Sequence, residues 1–192
     1  MHITVLGAGR IGTTLAHAFA AAGHHVAVGT RGPGEDLGAG LHTTDVASAL
    51  SGAEVAVLAV PGPAVADLVA THADALVGTL VVDAANVVGG SGPAHSRAAV
   101  TEHVPTARYV RAFNTLGVEN LRQPRFGAER ADLLVSCADA DLPVVTALVE
   151  AVGLRAVPLG EDAEDALDHA LLLWFALSRR LGRHVALKVL HD

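Results

Sequence analysis

Three glycines at fixed spacing are the first residues in this chain whose types could do chemistry. Gly7-Ala8-Gly9-Arg10-Ile11-Gly12 follows an apolar run at residues 3–6 and opens an Ala-rich, helix-favouring stretch at residues 10–22. In such a turn the first glycine permits the tight bend, the second lets a pyrophosphate approach the backbone, and the third lets helix pack on strand. The helix N-terminus adds N–H donors for the anion. The motif alone is weak, but here strand, glycines, helix and a second strand-like run at residues 26–29 occur in order. A dinucleotide is expected on Gly7, Ala8, Gly9, Arg10, Ile11 and Gly12; the alternative is a glycine-rich turn that binds nothing.

The end of the second strand bears on which dinucleotide. An NAD site normally places Asp or Glu there for the ribose hydroxyls, whereas this chain reads Val28-Gly29-Thr30-Arg31. A carboxylate would repel the extra phosphate of NADP, while the Thr30 hydroxyl and the Arg31 guanidinium can donate to it. NADP(H) is the expected cofactor, against the alternative that Arg31 is a solvated charge. Later strand ends should line the nicotinamide half of the crevice: Val60-Pro61 and Ala84-Ala85-Asn86 on the cofactor, and Asn114-Thr115 on the substrate. Asn86 and Asn114 can each orient a carboxamide or carbonyl, or each can end its strand as an Asx turn.

Other catalytic arrangements lack their parts. The only tyrosine, Tyr109, has Phe113 four residues on, and the only lysine is Lys188, so no short-chain-dehydrogenase pair exists. Among eleven histidines, His169 stands one helical turn from Asp165, but no third ligand can be assigned with them, so no metal is expected. Ser136, Ser178 and Cys137 lack a neighbouring base, and Cys137 reads as an inert core thiol. No catalytic side chain is named.

The elements that must position these residues alternate regularly. Strand-like runs recur at residues 54–60, 80–84, 109–113, 133–137 and 154–158; helices are expected at 45–50, where Asp45 can cap, at 64–72 and at 142–152, with a loop at 89–93. The pattern predicts an α/β fold, a Rossmann-type doubly wound, mostly parallel sheet forming a single domain over residues 1–192. Residues 159–192 form a C-terminal helical segment, with a helix at 161–181. Half the residues are hydrophobic (51%) and only 3% aromatic, which suits a parallel sheet covered on both faces. A net charge of −7 argues against nucleic acid. No signal peptide or membrane span is read, and a cytoplasmic location is expected. The last helix carries one apolar stripe of Leu167, Leu171, Trp174 and Leu181 and a second of Leu172, Phe175 and Ala176, so a homodimer through this helix is expected.

With these residues in hand, the chain resembles the NADPH-dependent reductases of the deazaflavin coenzyme F-420, a family also similar to the cytoplasmic domain of six-transmembrane ferric reductases. The matching stretches are residues 3–12, Val28-Gly29-Thr30-Arg31, Val57-Leu58-Ala59-Val60-Pro61, Arg111-Ala112-Phe113-Asn114-Thr115 and Ala186-Leu187-Lys188-Val189-Leu190. The resemblance implies that NADP lies on the glycine turn with its phosphate at Thr30 and Arg31, that a deazaflavin stacks on the nicotinamide in a pocket largely of backbone, and that hydride passes directly between the rings. The chain departs from the family in its short Gly32-Pro33-Gly34 loop and at Asn114, where some members have histidine.

The leading expectation is therefore an NADP(H)-dependent oxidoreductase whose small-molecule hydride acceptor is coenzyme F-420 or a flavin. The alternatives are an NADPH-dependent imine or keto-acid reductase and a non-catalytic NADP-binding sensor domain. The first alternative usually carries a large helical second domain.

Overall fold

A computed structural model describes residues 1–90 and 92–191; Ser91, in the loop expected at 89–93, and Asp192 lie outside the described residues. The chain divides into two compact units, Met1–Tyr109 and Val110–Asp192.

In the first unit, β1 (His2–Leu6), α1 (Arg10–Ala21) and β2 (His25–Thr30) complete the βαβ unit expected from the sequence. A departure follows. β3 (Asp36–Gly38) and β4 (Leu41–Asp45) form an antiparallel pair, and β4 then lies parallel to β2. The sequence gives no strand signal here, because the inward alternation of Leu41 and Thr43 is too short to stand out. Asp45 caps α2 (Val46–Leu50) as expected, its Oδ1 accepting from the Ser48 N–H at 2.9 Å. Hydrogen bonding from the Ser48 side chain first, and from this backbone N–H second, holds its carboxyl below the usual range.

β5 (Val55–Leu58) follows, then a 3₁₀ turn (Gly62–Ala64), α3 (Val65–Thr71), α4 (Ala73–Leu76), β6 (Leu80–Asp83), α5 (Arg97–His103) and β7 (Arg108–Arg111). The seven strands run in the order β3-β4-β2-β1-β5-β6-β7, and the neighbours from β4 to β6 pair in parallel. Every residue of β5 and β6 is buried, as expected for a sheet covered on both faces. Leu6, Leu58, Val65, Val69, Leu76 and Val81 pack into one core beneath α3. The fold is the Rossmann-type α/β arrangement, its parallel crossovers bringing the carboxyl ends of the central strands to one edge.

The second unit contains α6 (Val118–Arg122), the hairpin of β8 (Arg125–Phe126) and β9 (Glu129–Arg130), β10 (Asp132–Val135), α7 (Leu142–Ala151), β11 (Arg155–Pro158) and α8 (Glu164–Leu181). β10 and β11 pair in parallel as a separate two-stranded sheet, so the strands expected at 133–137 and 154–158 exist but do not extend the main one. Arg111 and Ser136 exchange backbone hydrogen bonds of 2.9 and 3.0 Å as an antiparallel bridge.

α8 begins three residues later than the sequence suggests. The Ser136 hydroxyl accepts from the Ala163 N–H at 3.0 Å and donates to Glu164 Oε1 at 3.4 Å, which fixes that end. Beyond Leu181 the chain leaves the helix as a strap. The Val189 N–H donates to Asp132 Oδ2 at 2.6 Å, Arg155 Nη2 donates to the Val189 carbonyl at 2.6 Å, and Trp174 Nε1 donates to the Val185 carbonyl at 2.8 Å.

The stripe expected along α8 is corrected in two places. Leu167, Leu171 and Trp174 are buried, whereas Leu181 is exposed. Trp174 is covered by its hydrogen bond to the strap, by the Arg183 guanidinium over its ring and by Gly117, so it is not part of an outward surface. Leu172 and Leu173 are 62% and 50% exposed instead. Among the described residues no helix is long and apolar enough to cross a membrane.

Candidate functional site

Strand register aligns the residues that the sequence singles out. Leu6 pairs with Gly29 on one side and with Leu58 on the other, and Leu58 pairs with Asp83. The segments after these four strands therefore leave from one edge: the glycine turn, Thr30-Arg31, Ala59-Val60-Pro61 and Ala84-Ala85-Asn86. The Gly7 N–H donates to the Gly29 carbonyl at 2.9 Å and the Ala59 N–H to the Leu6 carbonyl at 2.9 Å, tying the segments together at their roots.

The glycine turn has the sterics its motif implies. Gly7 has φ +112°, in the region that favours glycine, and a Cβ there would also lie 2.6 Å from the Ala59 carbonyl oxygen. Gly12 is buried, and a Cβ on it would run into the Gly7 carbonyl oxygen. Gly9 is different: a Cβ would meet nothing within 4 Å. Its backbone faces open space, as approach of a pyrophosphate requires.

Gly9 is the N-cap of α1, and its carbonyl accepts the first helical bond from the Thr13 N–H at 2.9 Å. No side chain caps this end and no acidic residue occupies the first turn. The N–H groups of Ile11 and Gly12 have no acceptor within the helix, so the residues present fit a bound anion. Ala8 and Ile11 are half-buried, and Arg10 is exposed beside them.

Thr30 is the last residue of β2, and its hydroxyl donates to the Gly32 carbonyl at 3.0 Å; Arg31 is fully on the surface. A phosphate here would meet the guanidinium first, and the Thr30 hydroxyl proton would have to leave Gly32 to reach it. Val60 is half-buried with its side chain over the Gly7 turn, Pro61 is exposed, Ala84 is buried and Asn86 half-buried. A Cβ on Gly62 would lie 2.5 Å from the Asn86 carbonyl oxygen, so the turns after β5 and β6 touch backbone to backbone.

Asn114 and Thr115 belong to the second unit, where both are buried. They follow Phe113, whose φ of +62° is strained for a residue with a side chain. Two residues earlier, fully buried Arg111 forms an ion pair with Asp168 of α8 at 3.1 Å. A buried guanidinium keeps its place only when paired, so this contact and the Ser136 bridge pin the segment that holds the strained backbone.

Sequence reasoning missed Asp83. Its fully buried carboxylate accepts from the Ala85 N–H at 3.0 Å through Oδ1, and from the Ser96 N–H and the Tyr109 hydroxyl, each at 2.7 Å, through Oδ2. It holds the first residues of the turn that carries Asn86 to the far side of the loop at Ser96. The available signal was an ionisable residue ending an otherwise apolar strand, which must be buried with partners or not at all. Tyr109 is thereby a structural donor, with the Arg97 guanidinium 5.7 Å above its ring. Cys137 is buried, and burial is the main reason its thiol is held above its ordinary range.

Comparison with known proteins places these features in a family. Residues 2–87 match the model of the family described as NADP oxidoreductase, coenzyme F-420-dependent. No curated protein matches the chain. A protein from Arthrobacter sp. FB24, provisionally named an F-420-dependent NADP-reductase, is 26% identical over 100% of both chains, with a TM-score of 0.85. A hypothetical protein from Sinorhizobium meliloti is 31% identical over 100% of this chain and 96% of its own, with a TM-score of 0.72. An imine reductase from Streptomyces aurantiacus shares the fold at 19% identity and a TM-score of 0.68; the alignment covers 91% of this chain and 60% of that one. The matched residues contain the whole strand edge described above apart from the second unit, and over residues 2–87 the chain belongs to the NADP oxidoreductase, coenzyme F-420-dependent family.

Proposed function

We propose that this chain binds NADP(H) on the Gly7–Gly12 turn and serves hydride transfer between the nicotinamide and a deazaflavin or flavin-type acceptor. The observation that carries the reading is the glycine turn itself: an uncapped helix end beside a Gly9 that faces open space, with Thr30 and Arg31 where an NAD site would hold an acid.

In this reading Gly9, Ala8, Ile11 and the helix end take the pyrophosphate, with Arg10 beside them, and Arg31 takes the additional phosphate with Thr30. Val60, Pro61, Ala84 and Asn86 line the nicotinamide end, and Asp83 holds the turn that carries Ala84 and Asn86 through the Ala85 N–H. Asn114 and Thr115 are proposed as acceptor contacts because they follow the last strand of the sheet. When bound, the nicotinamide ring supplies or takes the hydride; the protein supplies approach, orientation and exclusion of water. No side chain need act as acid or base.

The test is NADPH oxidation by the purified protein when offered coenzyme F-420, a flavin, a cyclic imine or a keto acid. Turnover with the tricyclic acceptors and not with the others supports the reading. Turnover with the imine or keto acid alone replaces the acceptor, and tight NADPH binding with no turnover on any of the four makes the chain a sensor.

A further inference from the structure

The amino ends of β1 and β2, at the edge of the sheet away from the glycine turn, hold a cleft with chemistry of its own. The two strands start in register, with His2 beside His25, Thr4 beside Ala27 and Leu6 beside Gly29. Partners in a parallel pair point to one face, so these side chains share the face that α2 covers. The Thr4 hydroxyl donates to the Ala49 carbonyl, and a Cβ on Gly29 would lie 3.0 Å from the Ala49 Cβ. α2 has only five residues, a reach of about 7.5 Å against about 20 Å for the six residues of β2. It runs out before the strands begin. What remains is a cleft of about 270 Å³ whose other walls are small: Ala27, Ala49, Ser51 and Ala53.

His2 and His25 line this cleft and are exposed. Their ring centres are 5.0 Å apart, with the planes 20° from parallel. Among the described residues neither ring makes a hydrogen bond or an ion pair, whereas His169 and His184 each engage a backbone carbonyl. Both imidazoles of the pair keep their nitrogens available. The Glu54 carboxylate stands beside them, its Oε2 accepting from the His2 N–H at 2.6 Å, and no lysine or arginine lines the cleft.

The spacing of the rings is that of two ligands on one ion. With a metal–nitrogen bond of about 2.0–2.1 Å and a ring nitrogen about 1.1 Å from its ring centre, two imidazoles at a tetrahedral angle have centres about 5 Å apart. A turn of each ring about χ2 aims one nitrogen of each at a common point. We infer that His2 and His25 together bind one transition-metal dication of the Zn²⁺ class and clip β1 to β2, with water completing the coordination and Glu54 supplying negative charge beside it. Imidazole suits such ions, whereas Mg²⁺ and Ca²⁺ take oxygen ligands. Four strand residues, about 13 Å, separate His2 from the end of β1 at the glycine turn, so the ion serves stability and has no part in hydride transfer.

The experiment is a Co²⁺ titration of the full chain without an added histidine tag, followed by visible absorption and by competition with Zn²⁺ and with Mg²⁺. The expected result is a Co²⁺ site that Zn²⁺ empties and Mg²⁺ does not. His2→Gln and His25→Gln should each weaken it roughly tenfold or more, because each removes one of two protein ligands. His24→Gln, next in sequence but outside the cleft, should leave it unchanged. Saturating Zn²⁺ should also raise the Tm of the wild type and not that of His2→Gln or His25→Gln. Circular dichroism checks that the variants fold, which exposed rings should allow. Absence of Co²⁺ binding, affinity that survives in either His2→Gln or His25→Gln, or displacement by Mg²⁺ as readily as by Zn²⁺ overturns the inference.

Discussion

The α-carbon of Gly12 faces the carbonyl oxygen of Gly7 so closely that a single methyl group between them would have no room. Gly9, between these two in sequence, has open space where its side chain would be. The three glycines of one motif are thus under different constraints, two held by close contacts of the fold and one that the fold leaves open.

This difference gives a paired prediction. Gly12→Ala should destabilise the protein by about 1–3 kcal/mol or more, as forced overpacking does, and abolish NADPH binding. Gly9→Ala should change stability by less than about 1 kcal/mol, since its backbone is extended and suits alanine, yet weaken NADPH at least tenfold. Urea unfolding and fluorescence titration of both variants decide it. Intact affinity in Gly9→Ala would remove the pyrophosphate from this turn.

Arg31 should set the choice of dinucleotide. One charge-assisted contact is worth about 1.5–3 kcal/mol, so Arg31→Ala should weaken NADPH roughly ten- to a hundredfold and leave NADH little changed. Thr30→Val should cost less, because its hydroxyl already serves Gly32. Titrations that show equal losses for NADPH and NADH would refute the assignment.

Hydride transfer by apposed rings predicts a muted response at the two asparagines. Asn86→Ala and Asn114→Ala should act mainly on binding and lower turnover modestly. If single-turnover kinetics show a loss beyond about a thousandfold with cofactor affinity intact, acid–base or oxyanion chemistry is at work instead.

Asp83 is expected to matter more than its distance from any ligand suggests. Asp83→Asn turns an amide N–H₂ toward donors and should cost about 2–4 kcal/mol, whereas Tyr109→Phe removes one hydrogen bond and should cost about 1–2 kcal/mol. Asp83→Asn should also weaken NADPH, through the Asn86 turn. Comparable stabilities for the two variants in denaturant unfolding would show that the network is not centred on the carboxylate.

Acid should release the C-terminal strap first. Burial alone would raise the Asp132 carboxyl, but hydrogen bonds from Arg155 and the Val189 N–H, with the charges of Arg155 and Lys188, outweigh it and hold the group below the usual range. A depressed folded-state pKa means the carboxylate's contribution is complete above the unfolded value of about 4 and is lost as pH falls through the folded one. Hydrogen exchange at the Val189 amide should therefore rise below about pH 4, and in Asp132→Asn it should be fast at neutral pH. Protection that persists in that variant would mean the strap is held elsewhere.

The sequence by itself determined the βαβ unit, the glycine turn and the missing acid after β2, because each rests on local rules: apolar period, backbone sterics and charge at a strand end. It also determined the cap at Asp45 and the helix at α7. The tertiary structure alone decided what depends on partners distant in the chain. Asp83 gains its role from Ser96 and Tyr109, Arg111 from Asp168, and the strap from Asp132; no window of neighbouring residues contains these pairs. β10 and β11 read as ordinary strands, but whether a strand joins one sheet or starts another depends on which backbone edge it meets. Along α8, apolar residues lie nearly all round in sequence, and only packing could bury Trp174 and leave Leu172 and Leu173 in water.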